Sequence, residues 1–193
     1  MLEDQRLKWK FKRGSDEALT RIYEKYLDSM LTLALGLLHD PAAAEDVVQD
    51  VFVAFAQSRQ NLRMRGSLSG YLATSVVNRV RDYRRKQRRQ SGRVGLAPPE
   101  DTKVKNWWGQ PHPTAAPEDT VILCEEAARL NGPIAQLPEE QQEVVLLRLK
   151  AGMKFRDIAK LQQISINTVL SRYRYGLERL RSTLDGEVKK WDR

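Results

Sequence analysis

Apolar residues recur at intervals of three and four along most of this chain, the spacing of helices that bury one face. Over 16–38 the stripe is Leu19, Ile22, Tyr23, Tyr26, Leu27, Met30, Leu31, Ala34, Leu37 and Leu38. His39-Asp40-Pro41 interrupts it, with Asp40 placed to cap a second helix and Pro41 at its first position. That helix, 42–58, turns Val47, Val48, Val51, Phe52 and Phe55 inward. Ser67 is the expected cap of a third helix, running to about residue 89. Its inward stripe is Leu68, Tyr71, Leu72, Ser75, Val76, Val80 and Tyr83.

The period is lost between 90 and 117, where prolines 98, 99, 111, 113 and 117 mark a linker. Trp107-Trp108 within it suits docking on a partner or packing back onto the chain. Periodicity returns over 118–130 (Val121, Ile122, Cys124, Ala127, Ala128) and stops at Asn131-Gly132-Pro133. Pro138 then opens a helix carrying Val144, Val145, Leu147 and Leu149, with Gly152 as its stop. A short helix over 154–161 follows, then a turn at 162–164 and a last helix capped by Ser165. Ile166, Val169, Tyr173, Leu177, Leu180 and Leu184 form the stripe expected to face Val144, Leu147 and Ile158. The fold class is therefore all-α. Two small helical domains, 1–90 and 118–193, are joined by a flexible linker, 91–117. The C-terminal domain has the layout of a helix-turn-helix, whose last helix enters the major groove; an ordinary small bundle would share its periodicity.

Composition narrows the chemistry. A net charge of +8 over 193 residues favours a polyanionic partner, most simply nucleic acid. No apolar run approaches the roughly 20 residues needed to span a bilayer, and the N-terminus lacks a secretory signal, so the cytoplasm is expected. The single cysteine, Cys124, excludes an internal disulfide and a multi-cysteine zinc site. His39 and His112, the only histidines, fall in a turn and a proline-rich stretch. No metal, cofactor or catalytic constellation is expected.

Three faces carry the candidate chemistry. The helix over 42–58 shows Glu45, Asp46, Gln49 and Asp50, which would repel phosphate and suit a protein partner; helix N-terminal charge bias is the plainer reading. The helix from Ser67 carries Asn78, Arg79, Arg81, Arg84, Arg85, Lys86, Arg88 and Arg89 interleaved with tyrosines, a pattern for nucleic acid or for a solvated face. The last helix begins with hydroxyl, amide and guanidinium groups, the types that read base edges.

Together these stretches resemble the extracytoplasmic-function (ECF) sigma factors, small two-domain specificity subunits of bacterial RNA polymerase. The resemblance rests on the run from His39 to Phe52, on Gly66-Ser-Leu-Ser-Gly-Tyr-Leu through Arg85, and on Leu137-Pro-Glu-Glu with Asp157-Ile-Ala and Asn167-Thr-Val-Leu-Ser-Arg. It implies that Asp46, Gln49, Asp50 and Phe52 bind core polymerase at the β′ clamp helices, with a further contact to the β flap. It also implies that Tyr71, Asn78, Arg79, Arg81, Arg84 and Arg85 hold the melted −10 strand. Ser165, Asn167, Thr168, Ser171, Arg172 and Arg174 would meet the −35 duplex, Arg172 suiting a bidentate contact to guanine. An anti-sigma protein is a further expected partner. Tyr71 stands where the family usually has tryptophan. A polymerase-independent helix-turn-helix regulator is the rival reading, though it leaves the acidic face without a purpose.

Overall fold

The computed structural model describes residues 2–60, 66–90 and 132–191. Its regular structure there is entirely helical: α1 (Leu2–Lys12), α2 (Asp16–Leu38), α3 (Pro41–Gln57), a 3-10 turn (Ser58–Gln60), α4 (Leu68–Gln90), α5 (Glu139–Leu149), α6 (Phe155–Gln162) and α7 (Ile166–Trp191). The expected linker, the helix over 118–130, Trp107-Trp108 and Cys124 lie outside the described residues.

The starts of the helices follow from local chemistry. Ser15, Asp40, Ser67 and Ser165 each accept a hydrogen bond from the backbone N–H three residues on, at 3.1–3.2 Å. His39 closes α2 in the left-handed conformation, φ 56°, which turns the chain at once into the Asp40 cap and Pro41. Gln163 does the same after α6, also at φ 56°, and makes the turn of the helix-turn-helix.

The first unit, α1–α4, buries Ile22, Met30, Leu33 and Leu37 of α2 against Val47, Val51 and Phe55 of α3 and Leu68, Leu72 and Val76 of α4. Helix α1 is not foreseen by the sequence reading. It is held by Leu7 and Phe11, one turn apart, and the Phe11 ring stacks on Phe55 with centroids 4.4 Å apart. The second unit, α5–α7, closes around Val144, Leu147, Ile158 and Val169.

The rotation of α7 differs from expectation. Val169 is fully buried and Tyr173 and Leu180 are half-buried, but Ile166 and Leu177 face solvent. Gly176 takes the central buried position. A Cβ there would sit 2.8 Å from Val145 Cγ2, so α7 presses on α5 where a side chain would hold it off. Apolar spacing alone gives a glycine no weight, which skews the stripe towards Leu177.

The two units are packed together. Leu146 of α5 lies on α2 where Gly36 leaves room, a Cβ at 36 falling 2.8 Å from Leu146 Cδ1. Ser69 Oγ donates to the Ala151 carbonyl at 2.6 Å, and the buried Gln142 Nε2 donates to His39 Nε2 at 2.9 Å and the Ile134 carbonyl at 3.1 Å.

Candidate nucleic-acid interface

On α3 the acidic stripe faces outward: Asp46 and Gln49 are exposed and Asp50 is half-buried. Val53, one turn further, is 47% exposed and adds an apolar contact point that the sequence reading missed. The signal is its spacing of seven from Asp46, which overrides its membership of a hydrophobic run. Phe52 does not belong to this surface. It is 6% exposed, and its ring packs edge-on to Tyr23 with centroids 4.9 Å apart. Its expected polymerase contact is therefore corrected to a core role, because the turn of the helix that exposes Asp46 and Gln49 carries Phe52 inward.

Helix α4 divides its cations among three directions. Tyr71, Asn78 and Arg85, spaced by seven, share the outward stripe. The Tyr71 ring is half-buried, tilted against Phe55 at 5.9 Å, and Arg85 pairs with Asp82 at 2.7 Å. Arg79 turns the other way and binds Asp50 of α3 through Nε at 2.9 Å and through Nη2. On the third side Arg81 pairs with Glu143 at 2.7 Å, Arg84 with Glu139 at 3.1 Å, and Arg88 reaches Glu139 at 4.0 Å. Arg84 also donates to the Leu37 carbonyl. Partner acids on α5 thus neutralise cations that were expected to meet DNA. Exposed pairs of this kind contribute only about 0–1 kcal/mol each and weaken with salt. His39 sits beside this seam, and partial burial, reinforced by the Arg84 guanidinium, lowers its pKa below the usual imidazole value.

On α7 the structure separates the six residues expected at the −35 duplex. Asn167, Ser171 and Arg174 are exposed on one outward face, with Arg174 over the Tyr175 ring at 5.2 Å. Ser165 and Thr168 are exposed at the helix start, where their hydroxyls bond each other at 2.8 Å. Arg172 lies on the flank, half-buried, donating to Gln162 Oε1 at 3.1 Å and pairing with Glu140 at 2.7 Å. The outward face also carries Leu170, which sequence reasoning passed over because leucine is ordinarily counted towards the core.

An all-helical protein with an acidic face, a basic helix and a helix-turn-helix has the parts of a two-unit transcription factor. The family described as Sigma-70 region 2 matches residues 22–90, and that described as Sigma-70 region 4 matches 134–180. The RNA polymerase sigma-H factor of Pseudomonas aeruginosa is 26% identical over 170 residues, 88% of each chain. The ECF sigma factor SigW of Bacillus subtilis is 24% identical over 191 residues, 95% of this chain and 97% of that one. Two solved structures share the fold. The sigma factor RpoE in complex with the anti-sigma factor NepR from Bartonella quintana gives a TM-score of 0.62 at 20% identity, covering 86% of this chain and 96% of that one. CnrH in complex with the cytosolic domain of CnrY gives 0.59 at 19% identity, covering 95% and 98%. The chain belongs to the ECF sigma factors, which bind core RNA polymerase and direct promoter recognition and transcription initiation. Among the described residues no helix is long and apolar enough to cross a membrane.

Proposed function

We propose that promoter recognition is divided among three separate faces of this chain. Residues 1–90 dock on core polymerase through Asp46, Gln49, Asp50 and Val53, and hold the melted −10 strand along Tyr71, Asn78 and Arg85. Residues 91–117 connect the units, and 118–193 read the −35 duplex through Asn167, Ser171 and Arg174. The observation that supports this reading is that Asp46, Gln49 and Val53 on α3, Arg85 on α4, and Asn167, Ser171 and Arg174 on α7 are exposed, with Asp50, Tyr71 and Asn78 half-exposed beside them. Arg172 holds α7 against α5 and α6 in this scheme, and Ser165 and Thr168 form the helix start that meets phosphate.

Arg81 and Arg84 join the −10 surface fully only when the seam to α5 opens, since Glu143 and Glu139 balance their charge and hold them on that side while it is closed. Core polymerase supplies the binding energy that parts the units. The chain does no chemistry itself and acts in the cytoplasm on the polymerase already there. The RpoE relative is seen with an anti-sigma factor; a partner of that class would act here by keeping the units closed.

Transcription with purified core polymerase on a randomised promoter library tests the scheme. Core-dependent transcripts from an enriched pair of elements are expected with the native chain, and loss of them with Asp46→Lys. Sequence-selective duplex binding that is unaffected by core would favour a polymerase-independent regulator instead.

A further inference from the structure

We propose that Leu170 is a specificity-determining residue of α7, reading the C5-methyl group of a thymine in the −35 duplex. The inference rests on the assignment of α7 to the major groove. Leu170 is 42% exposed, in the second turn of the helix, while its neighbour Val169 is fully buried and fixes the rotation. Asn167 and Arg174, three before and four after it, are exposed beside it on the same outward face. Ile166, one turn earlier, is 44% exposed and extends the apolar edge towards the helix start.

A single leucine at a protein surface is ordinary. Leu170 and Ile166 one turn apart on an exposed edge of a helix assigned to the major groove are a chemical statement. An alkyl side chain has no donor for a phosphate oxygen, so it cannot serve to position the domain. In the major groove thymine alone presents a methyl group, and apolar side chains are its complement. Arg172, the guanidinium closest in sequence, is engaged by Glu140 and Gln162. The outward face of the first turns therefore presents an amide, a hydroxyl, one guanidinium from Arg174 and this apolar edge.

The test uses holoenzyme assembled from the full chain and core polymerase. The preferred −35 sequence is first selected from a randomised library. Each thymine in it is then replaced singly by deoxyuracil, which removes the methyl and nothing else. At one position the replacement should weaken binding of the native holoenzyme by about fourfold, the worth of one buried methyl. Leu170→Ala should lose the same factor on the thymine promoter and become indifferent to deoxyuracil there, while Leu170→Met restores the preference. Because Leu170 is exposed, the variants should melt like the native chain. Indifference of the native holoenzyme at every thymine would overturn the proposal, as would an unchanged thymine preference in Leu170→Ala. Failure to enrich any −35 sequence would overturn the assignment of α7 to that element, and the proposal with it.

Discussion

Arg79 Nε donates to Asp50 Oδ2 at 2.9 Å, joining α4 to α3 across the side of the first unit. The two residues come from sets expected to meet different macromolecules, polymerase for Asp50 and the −10 strand for Arg79. Their pairing makes both partly structural. Asp46 is the exposed carboxylate of the α3 stripe and so the cleaner probe of docking. Asp46→Lys should lower affinity for core polymerase by about tenfold or more through charge repulsion, with an unchanged melting temperature. Asp50→Lys should lower both, since it sets a lysine against Arg79. Fluorescence anisotropy with labelled core and circular dichroism melting separate the two effects.

The helices were legible because their signals are local. Ser67 and Ser165 as caps, the Asp40-Pro41 start and the turn at 162–164 all rest on contacts within four residues, and they recur in the structure. What the pattern could not supply was rotation and docking. Ile166 and Leu177 leave the stripe expected for the last helix because Gly176 packs without being apolar, and Phe52 lies inward, as its apolar spacing predicts, against the polymerase contact that the family resemblance implies. The pairs from Arg81 to Glu143 and from Arg84 to Glu139 span more than fifty residues, and no periodicity in one helix announces them. Helix α1 escaped notice because its buried apolar side chains among the described residues are Leu7 and Phe11 alone, too few to show a period.

The two arginines of the recognition helix should behave differently. Arg174→Ala should relax selectivity at a single −35 base pair, by about 1–3 kcal/mol, if it forms a bidentate contact. Arg172→Ala should weaken all −35 variants alike and lower the melting temperature, because it removes the ties to Glu140 and Gln162. Binding across a set of single-base variants, with melting curves for both proteins, distinguishes a reader from a strut.

The seam between the units should loosen in acid. His39 accepts a hydrogen bond from Gln142 only when its Nε2 is unprotonated, and its pKa is lowered by partial burial and by Arg84. A group with a depressed folded pKa contributes stability above its free value, about 6.5 for histidine, and that contribution is lost as pH falls through the folded value. The native chain should therefore lose more stability between about pH 7.5 and pH 5.5 than His39→Gln. Thermal melts of both proteins across that range provide the comparison.

Charge reversal on α5 should open the seam without touching either DNA-reading face. Glu139→Lys combined with Glu143→Lys sets like charges against Arg81, Arg84 and Arg88, where the native chain has pairs at 2.7–4.0 Å. The double variant should bind single-stranded DNA more tightly than the native chain at low salt. Because each pair has at least one exposed partner, the difference should shrink as ionic strength approaches about 1 M. Electrophoretic mobility measured in a salt series checks both points.

The separation of the two units on polymerase is measured most directly by energy transfer between dyes on α2 and α7. Glu24→Cys and Ser182→Cys, in a Cys124→Ser background, place the labels at exposed positions of the two units. Free in solution, the chain should give the short distance of the packed units. Addition of core polymerase should lengthen it, and an anti-sigma partner, if one is added first, should prevent the change. A distance that stays the same with and without core polymerase would contradict the account.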